Sequence, residues 1–245
     1  MRLSTMRSRV TRFPSTAAAG LVLLVLLGTA GPALAQSKNL APGFTNLAKA
    51  TKVVVMPIDI ELFSISGGGI LEPKADWTEA ASKHLKVALL EKQRSFGLTT
   101  AELSDEDADD VAEVNALHAA VARSISMHHF GIASLQLPTK EGLLDWSLGE
   151  AVHPLKQKTG ADYALFSWVR DSYASSERVA TMIVMAAFGV GLVGGTQVGY
   201  ASLVDLNTGQ VLWFNRLLRG SGDLREADKA GETLEALLSG FPVGK

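Results

Sequence analysis

The chain contains no cysteine at all. That absence excludes disulfides, a thiolate metal site, thiol catalysis and a lipid anchor carried on cysteine. Charge is missing too, from one long run. Between Arg178 and Asp205 the sequence VATMIVMAAFGVGLVGGTQVGYASLV, Val179 to Val204, carries none. A folded chain must bury such a run, pair it with another copy, or place it in lipid. Excess positive charge is also absent, with 23 Lys and Arg against 25 Asp and Glu. No electrostatic footprint for nucleic acid or anionic lipid follows from that balance.

The N-terminus has the order of a secretion signal. Arg2, Arg7, Arg9 and Arg12 precede an apolar core at Leu21–Leu27. Gly28, Gly31 and Pro32 then break any helix, and Ala33-Leu34-Ala35 forms a small-x-small cleavage site. The apolar core is short for a membrane span of about 20 residues. An exported chain beginning at Gln36 is therefore expected, placed in the periplasm or at the periphery of the outer membrane. Residues 36–51 are small and polar and read as a tether.

From residue 52 to 245 the pattern predicts one α/β domain, a small mixed sheet with helices packed on it. Lys52–Ile60 is a short β-branched strand, bent where Pro57 removes an N–H. Ser66-Gly67-Gly68-Gly69 is a loop. Trp77–Lys92 places Trp77, Ala81, Leu85 and Leu89 on one helical face, with Asp76 as the expected cap. Phe96–Leu103 reads as a short strand. Residues 104–158 form a helical insert. Ser104 caps its first helix, and the acids from Asp105 to Asp110 suit a helix start better than a calcium loop. A further helix over Leu144–Lys158 is expected to be interrupted or to end near Pro154. Ala161–Tyr173 is a strand with Tyr163, Leu165, Ser167 and Val169 on one face. Val198–Val204 and Gln210–Arg216 form a hairpin around Asp205–Gly209, followed by a final helix capped by Ser221 or Asp223.

No motif announces chemistry. Gly189, Gly191 and Gly194 match GxGxxG, but a hairpin and not a helix is expected after them, and Asp205 stands too near for a ribose acid. His84, His118, His128, His129 and His153 lack the spacing of a three- or four-ligand metal site. No GxSxG nucleophile elbow and no carboxylate pair stand out. A non-enzymatic protein without cofactor is expected.

The uncharged run divides into three readings: a transmembrane helix over Val179–Gly195, a buried part of the core, or an insertion packed between subunits or dipped into a membrane. The insertion reading makes Val179, Met182, Ile183, Met185, Phe188, Val190 and Leu192 the candidate interface or membrane residues.

Lys52–Ile60 with the Trp77 helix, then Gly160-Ala-Asp-Tyr-Ala-Leu-Phe166, then Val204-Asp-Leu-Asn-Thr-Gly-Gln-Val-Leu-Trp213 resembles the envelope α/β domain of the curli-secretion-channel and penicillin-binding-protein-activator lipoprotein group. The resemblance implies an envelope protein that binds other proteins or self-associates, without catalysis. Channel-forming relatives carry membrane-inserted segments between strands, which suits the 179–195 run. The chain departs from that group by lacking the lipidated cysteine and by its longer 104–158 insert. No site residue carries over. A soluble periplasmic domain binding a small ligand near the Gly-rich segment is the alternative.

Overall fold

The computed structural model describes residues 37–48, 51–96, 99–103, 107 and 109–244. The signal segment 1–35 and the expected cap at Ser104 lie outside the described residues.

The strand expected over Lys52–Ile60 is two strands, β1 (Lys52–Val55) and β2 (Asp59–Ile65). The break is a bulge at Pro57. Val55 stands opposite Leu165 and Asp59 opposite Trp168, so four steps on one strand match three on the other. A missing N–H is tolerated where the ladder is already interrupted. The extra residue switches side-chain parity. Val54 and Met56 enter the core on one face of the sheet, whereas Leu62 joins Val53 on the other.

The centre of the sheet is β5 (Tyr163–Ala174). It runs parallel to β1 along its first part and to β2 along its second. Its other edge pairs antiparallel with β6 (Gln197–Asp205), which pairs with β7 (Val211–Arg219). The short strand β3 (Leu71–Pro73) folds back on β2, and β4 (Thr99–Glu102) lies parallel to β1. As a central strand, β5 is buried on both faces. Its alternation is the expected one: Leu165 and Val169 face one core, Ala164 and Phe166 the other.

Helices α1 (Ala75–Phe96) and α5 (Ala227–Leu237) cover the first core, where Leu85, Leu89, Leu234 and Leu237 meet Trp213. Helices α2 (Ala112–His128) and α3 (His153–Thr159) belong to the second, through Val114, Ile125 and Leu155 against Phe166 and Phe214. The fold is thus a mixed α/β sandwich, helix on sheet on helix.

Several local expectations shift. Helix α1 begins at Ala75, so Asp76 lies in its first turn. The 104–158 insert holds only two α-helices among the described residues, joined by 3₁₀ turns and loops. Pro154 opens α3 instead of ending a helix, because proline at the first turn loses an N–H that has no partner there anyway. Gly160 closes that helix with φ of 60°. Helix α5 starts at Ala227 after Glu226, and Asp223 instead accepts from Arg225.

The stretch read as a tether belongs to the domain from Ser37 to Ala48. Ala41 N–H donates to Leu212 O at 2.9 Å, and Phe214 N–H donates to Asn39 O at 3.0 Å, so this strap lies along the outer edge of β7. Ala41 and Leu47 are buried. The neighbouring part of that edge is covered by residues 146–148, where Val211 N–H donates to Trp146 O.

Candidate functional site

The uncharged run does not behave as one unit. Its second part, Gln197–Val204, is interior strand β6. Its first part leaves the sheet at the end of β5. Ser175 accepts from Arg178 N–H at 3.1 Å and caps helix α4 (Ser176–Ala187). The chain then returns through an irregular Gly-rich segment to Thr196, whose N–H donates to Ser172 Oγ. The excursion from Ser175 to Gly195 is a finger standing on the end of the sheet.

Although α4 is strongly apolar, none of its residues is buried. Phe188 is 79% exposed and Ile183 67%, and Val179, Val184, Val190 and Val193 are also exposed. Met182, Met185 and Leu192 are half-buried. The β2–β3 hairpin adds Ile70, 68% exposed, and Leu71. Its loop touches the base of α4: a side chain at Gly67 would lie 3.3 Å from Glu177 Cβ. Arg178 ties the base together. Its guanidinium donates to Val193 O at 3.3 Å and lies 3.4 Å from where a Cβ on Gly69 would sit. The seven residues singled out from the sequence are therefore gathered on one projecting element. Val184 and Val193 belong with them and lay in the same run. Ile70 and Leu71 carried no signal; they follow Gly69, which the hairpin sets beside Arg178 at the base of α4.

No helix among the described residues is long and apolar enough to cross a membrane. The GxGxxG match has no phosphate-binding setting, since a helix precedes it and strand β6 follows.

Beneath the finger lies a buried polar cluster. The Asp171 carboxylate accepts from Tyr173 Oη and Gln197 Nε2, each at 2.5 Å, and from Ser172 N–H at 2.8 Å. Gln197 in turn accepts from Arg219 Nε at 2.7 Å, and Arg219 also donates to Thr233. Tyr173 Oη accepts from Leu224 N–H at 2.7 Å. Arg225 forks onto Asp223 and stacks over Trp77 and Tyr173. Burial raises the Asp171 carboxyl above the usual range, against the pull of its three donors. Burial, then the bond to Asp171, raises the Tyr173 phenol. The Arg225 fork lowers Asp223. The cluster ties the ends of β5, β6 and β7 to α5 at the point where the finger departs. A small cavity of about 110 Å³ beside it is lined by Asp171, Gly194, Gly195 and Gly222. That is well under the roughly 300 Å³ at which small-molecule sites begin.

The histidines do not converge. His118 Nε2 lies 2.8 Å from Ser202 Oγ and its ring stacks on Phe166. Burial lowers its pKa to about 3. His84, His128, His129 and His153 each face a backbone carbonyl. Among the described residues no group of three His, Asp or Glu could hold a metal ion.

The geometry defines a class: a mixed α/β domain that presents an apolar finger whose charges, Glu177 and Arg178, sit at its base. No family model matches the chain, and no curated protein matches it. Solved structures are similar at low identity. The PelC dodecamer from Paraburkholderia phytofirmans is 14% identical, with 80% of this chain and 92% of that chain covered at a TM-score of 0.37. The LpoB C-terminal domain from Salmonella enterica is 13% identical, covering 73% and 87% at 0.29. A lipoprotein from Neisseria meningitidis is 14% identical, covering 77% and 95% at 0.32. At these values the similarities assign this chain neither family, role nor partner.

Proposed function

We propose that this chain is an exported cell-envelope protein that acts by binding protein, its own copies included, and not by catalysis. The observation that carries the reading is α4, an apolar helix without one buried residue. A contiguous exposed apolar patch on a folded domain marks an interaction surface. Burying a large apolar side chain is worth about 1.5–3 kcal/mol, so the finger holds enough free energy for a stable contact.

Lipid is a poorer home for it. The N–H groups of Gly191 to Gly195 meet no acceptor among the described residues. Each such group would cost several kcal/mol in hydrocarbon, whereas a protein partner supplies acceptors. The small polar cavity beside Asp171 gives the ligand-binding alternative little room.

Sedimentation velocity tests the reading on the purified protein. The unaltered protein should form oligomers, or capture a partner on cross-linking, and Ile183→Asp with Phe188→Asp should abolish this while leaving the circular dichroism spectrum unchanged. A protein that stays monomeric and captures no envelope partner, or whose contacts survive both substitutions, overturns it.

A further inference from the structure

A larger cavity lies away from the finger, at the other end of β2. Strands β1 and β4 end side by side, with Val55 opposite Glu102. Beyond them the chain bulges at Pro57 and no described strand continues β4. A hollow of about 230 Å³ is left there against α1, twice the size of the one beside Asp171. Its place in the fold is that of a ligand site. In open α/β sheets, ligands settle outside the carboxyl ends of parallel strands, where successive connections pass to opposite faces. Here β1 and β4 are parallel, α1 packs on the first face of the sheet, and α2, which follows β4, packs on the second.

The lining has two parts. Val55, Met56, Leu89, Leu90 and Leu103 are apolar. Ser82, Lys86 and Gln93 are polar. At spacings of four and seven residues these three fall on a single stripe of α1. Among the described residues the lining holds one cation, Lys86, and no acid. Glu79, further along α1, is held by Lys83 at 2.6 Å. An apolar pocket with a few polar groups on one side orients a ligand that is itself two-sided. The cation selects an anionic head over a neutral or basic one. Size limits the rest of the ligand. At roughly 30 Å³ per water-sized group, the cavity has room for about eight carbons.

We infer that this cavity binds a small amphiphilic carboxylate of about eight carbons, with its apolar part against Leu89, Leu90 and Leu103 and its head at Lys86. The site shares no residue with the finger, and it stands whether or not the finger binds protein.

Titration of the protein with n-alkanoates from butanoate to dodecanoate, followed by amide NMR shifts, tests this. Shifts should gather at Leu89, Leu90 and Leu103. Affinity should rise about fourfold with each added methylene until about eight carbons, then level off as the cavity fills. Octanoate should bind about tenfold more tightly than 1-octanol, which lacks the charge. Leu90→Trp fills the cavity and should abolish binding. Lys86→Gln, at an exposed position, should weaken octanoate and leave octanol unchanged. Ile183→Asp with Phe188→Asp should leave octanoate binding as it is. Shifts centred on Ile183 and Phe188, or an affinity that climbs to dodecanoate without a break, would mean that the chains only adhere to exposed apolar surface. The inference then fails and the reading of the finger is untouched. Absence of shifts at Leu89, Leu90 and Leu103 for every chain length overturns it equally.

Discussion

At the scale of single residues, the buried polar groups are where this domain is most sensitive. His118 is enclosed against Phe166 with its ring bonded to Ser202, and no acid among the described residues stabilises its charge. Its folded pKa lies near 3, below the usual 6.5 of the unfolded chain. The stability it supplies is therefore complete above pH 6.5 and drains away as pH falls from there towards 3. At about 1.4 kcal/mol per pH unit, moving from pH 7 to pH 5 should remove about 2 kcal/mol. Denaturant unfolding at the two pH values checks this, and His118→Phe should flatten the difference. Asp171 titrates the opposite way, since burial raises its folded pKa; its ionised form opposes folding, so its contribution improves as pH falls through that raised value. Its bonds matter more than its charge. Asp171→Ala would strand Tyr173 Oη and the Gln197 amide as buried donors, at about 1–3 kcal/mol for each unmet group. Chemical denaturation should show a loss of that size, with the greatest loosening where the finger joins the sheet.

At the scale of elements, the turn between β6 and β7 and the finger differ sharply in tolerance. Gly209 has φ of 73°, and a Cβ there would lie 2.2 Å from Gly149 O. Gly209→Ala should cost more than 2 kcal/mol, combining backbone strain with a steric clash that neither backbone can relieve alone. A thermal melt is sufficient to see it. Helix α4 should show the reverse. With nothing buried, Ile183→Asp should change folding stability by no more than about 0.5 kcal/mol while removing association. A drop of several kcal/mol in denaturant unfolding would mean that α4 belongs to the core after all. The hairpin, the Pro57 break and the two faces of β5 were all legible beforehand, because turn chemistry, a missing N–H and period-2 alternation are local. Pro154 was read with the wrong sign, since proline can open a helix as readily as end one, and only the preceding turn decides between the two.

At the scale of the whole molecule, the strap from Asn39 to Ala41 shields a sheet edge that would otherwise be bare. Leu47, at the far end of this segment, is fully buried in the first core, and its N–H donates to Pro242 O. Leu47→Ala should cost about 2–4 kcal/mol, the size of a core cavity and not of a tether change, as a denaturant titration would register. The composition of 36–51 concealed this, because a strap that pairs through its backbone needs few apolar side chains.

Periodicity, turn residues and the missing cysteine are local features, and from them alone follow an α/β domain, its final hairpin, no thiol chemistry, and an uncharged run that had to be explained. Where that run divides depends on long-range packing. Residues 197–204 are interior because β5 and β7 flank them, and none of residues 179–193 is buried because no described element comes back to cover them. Burial is set by neighbours distant in sequence, and an uncharged run carries no record of which of its residues will have them.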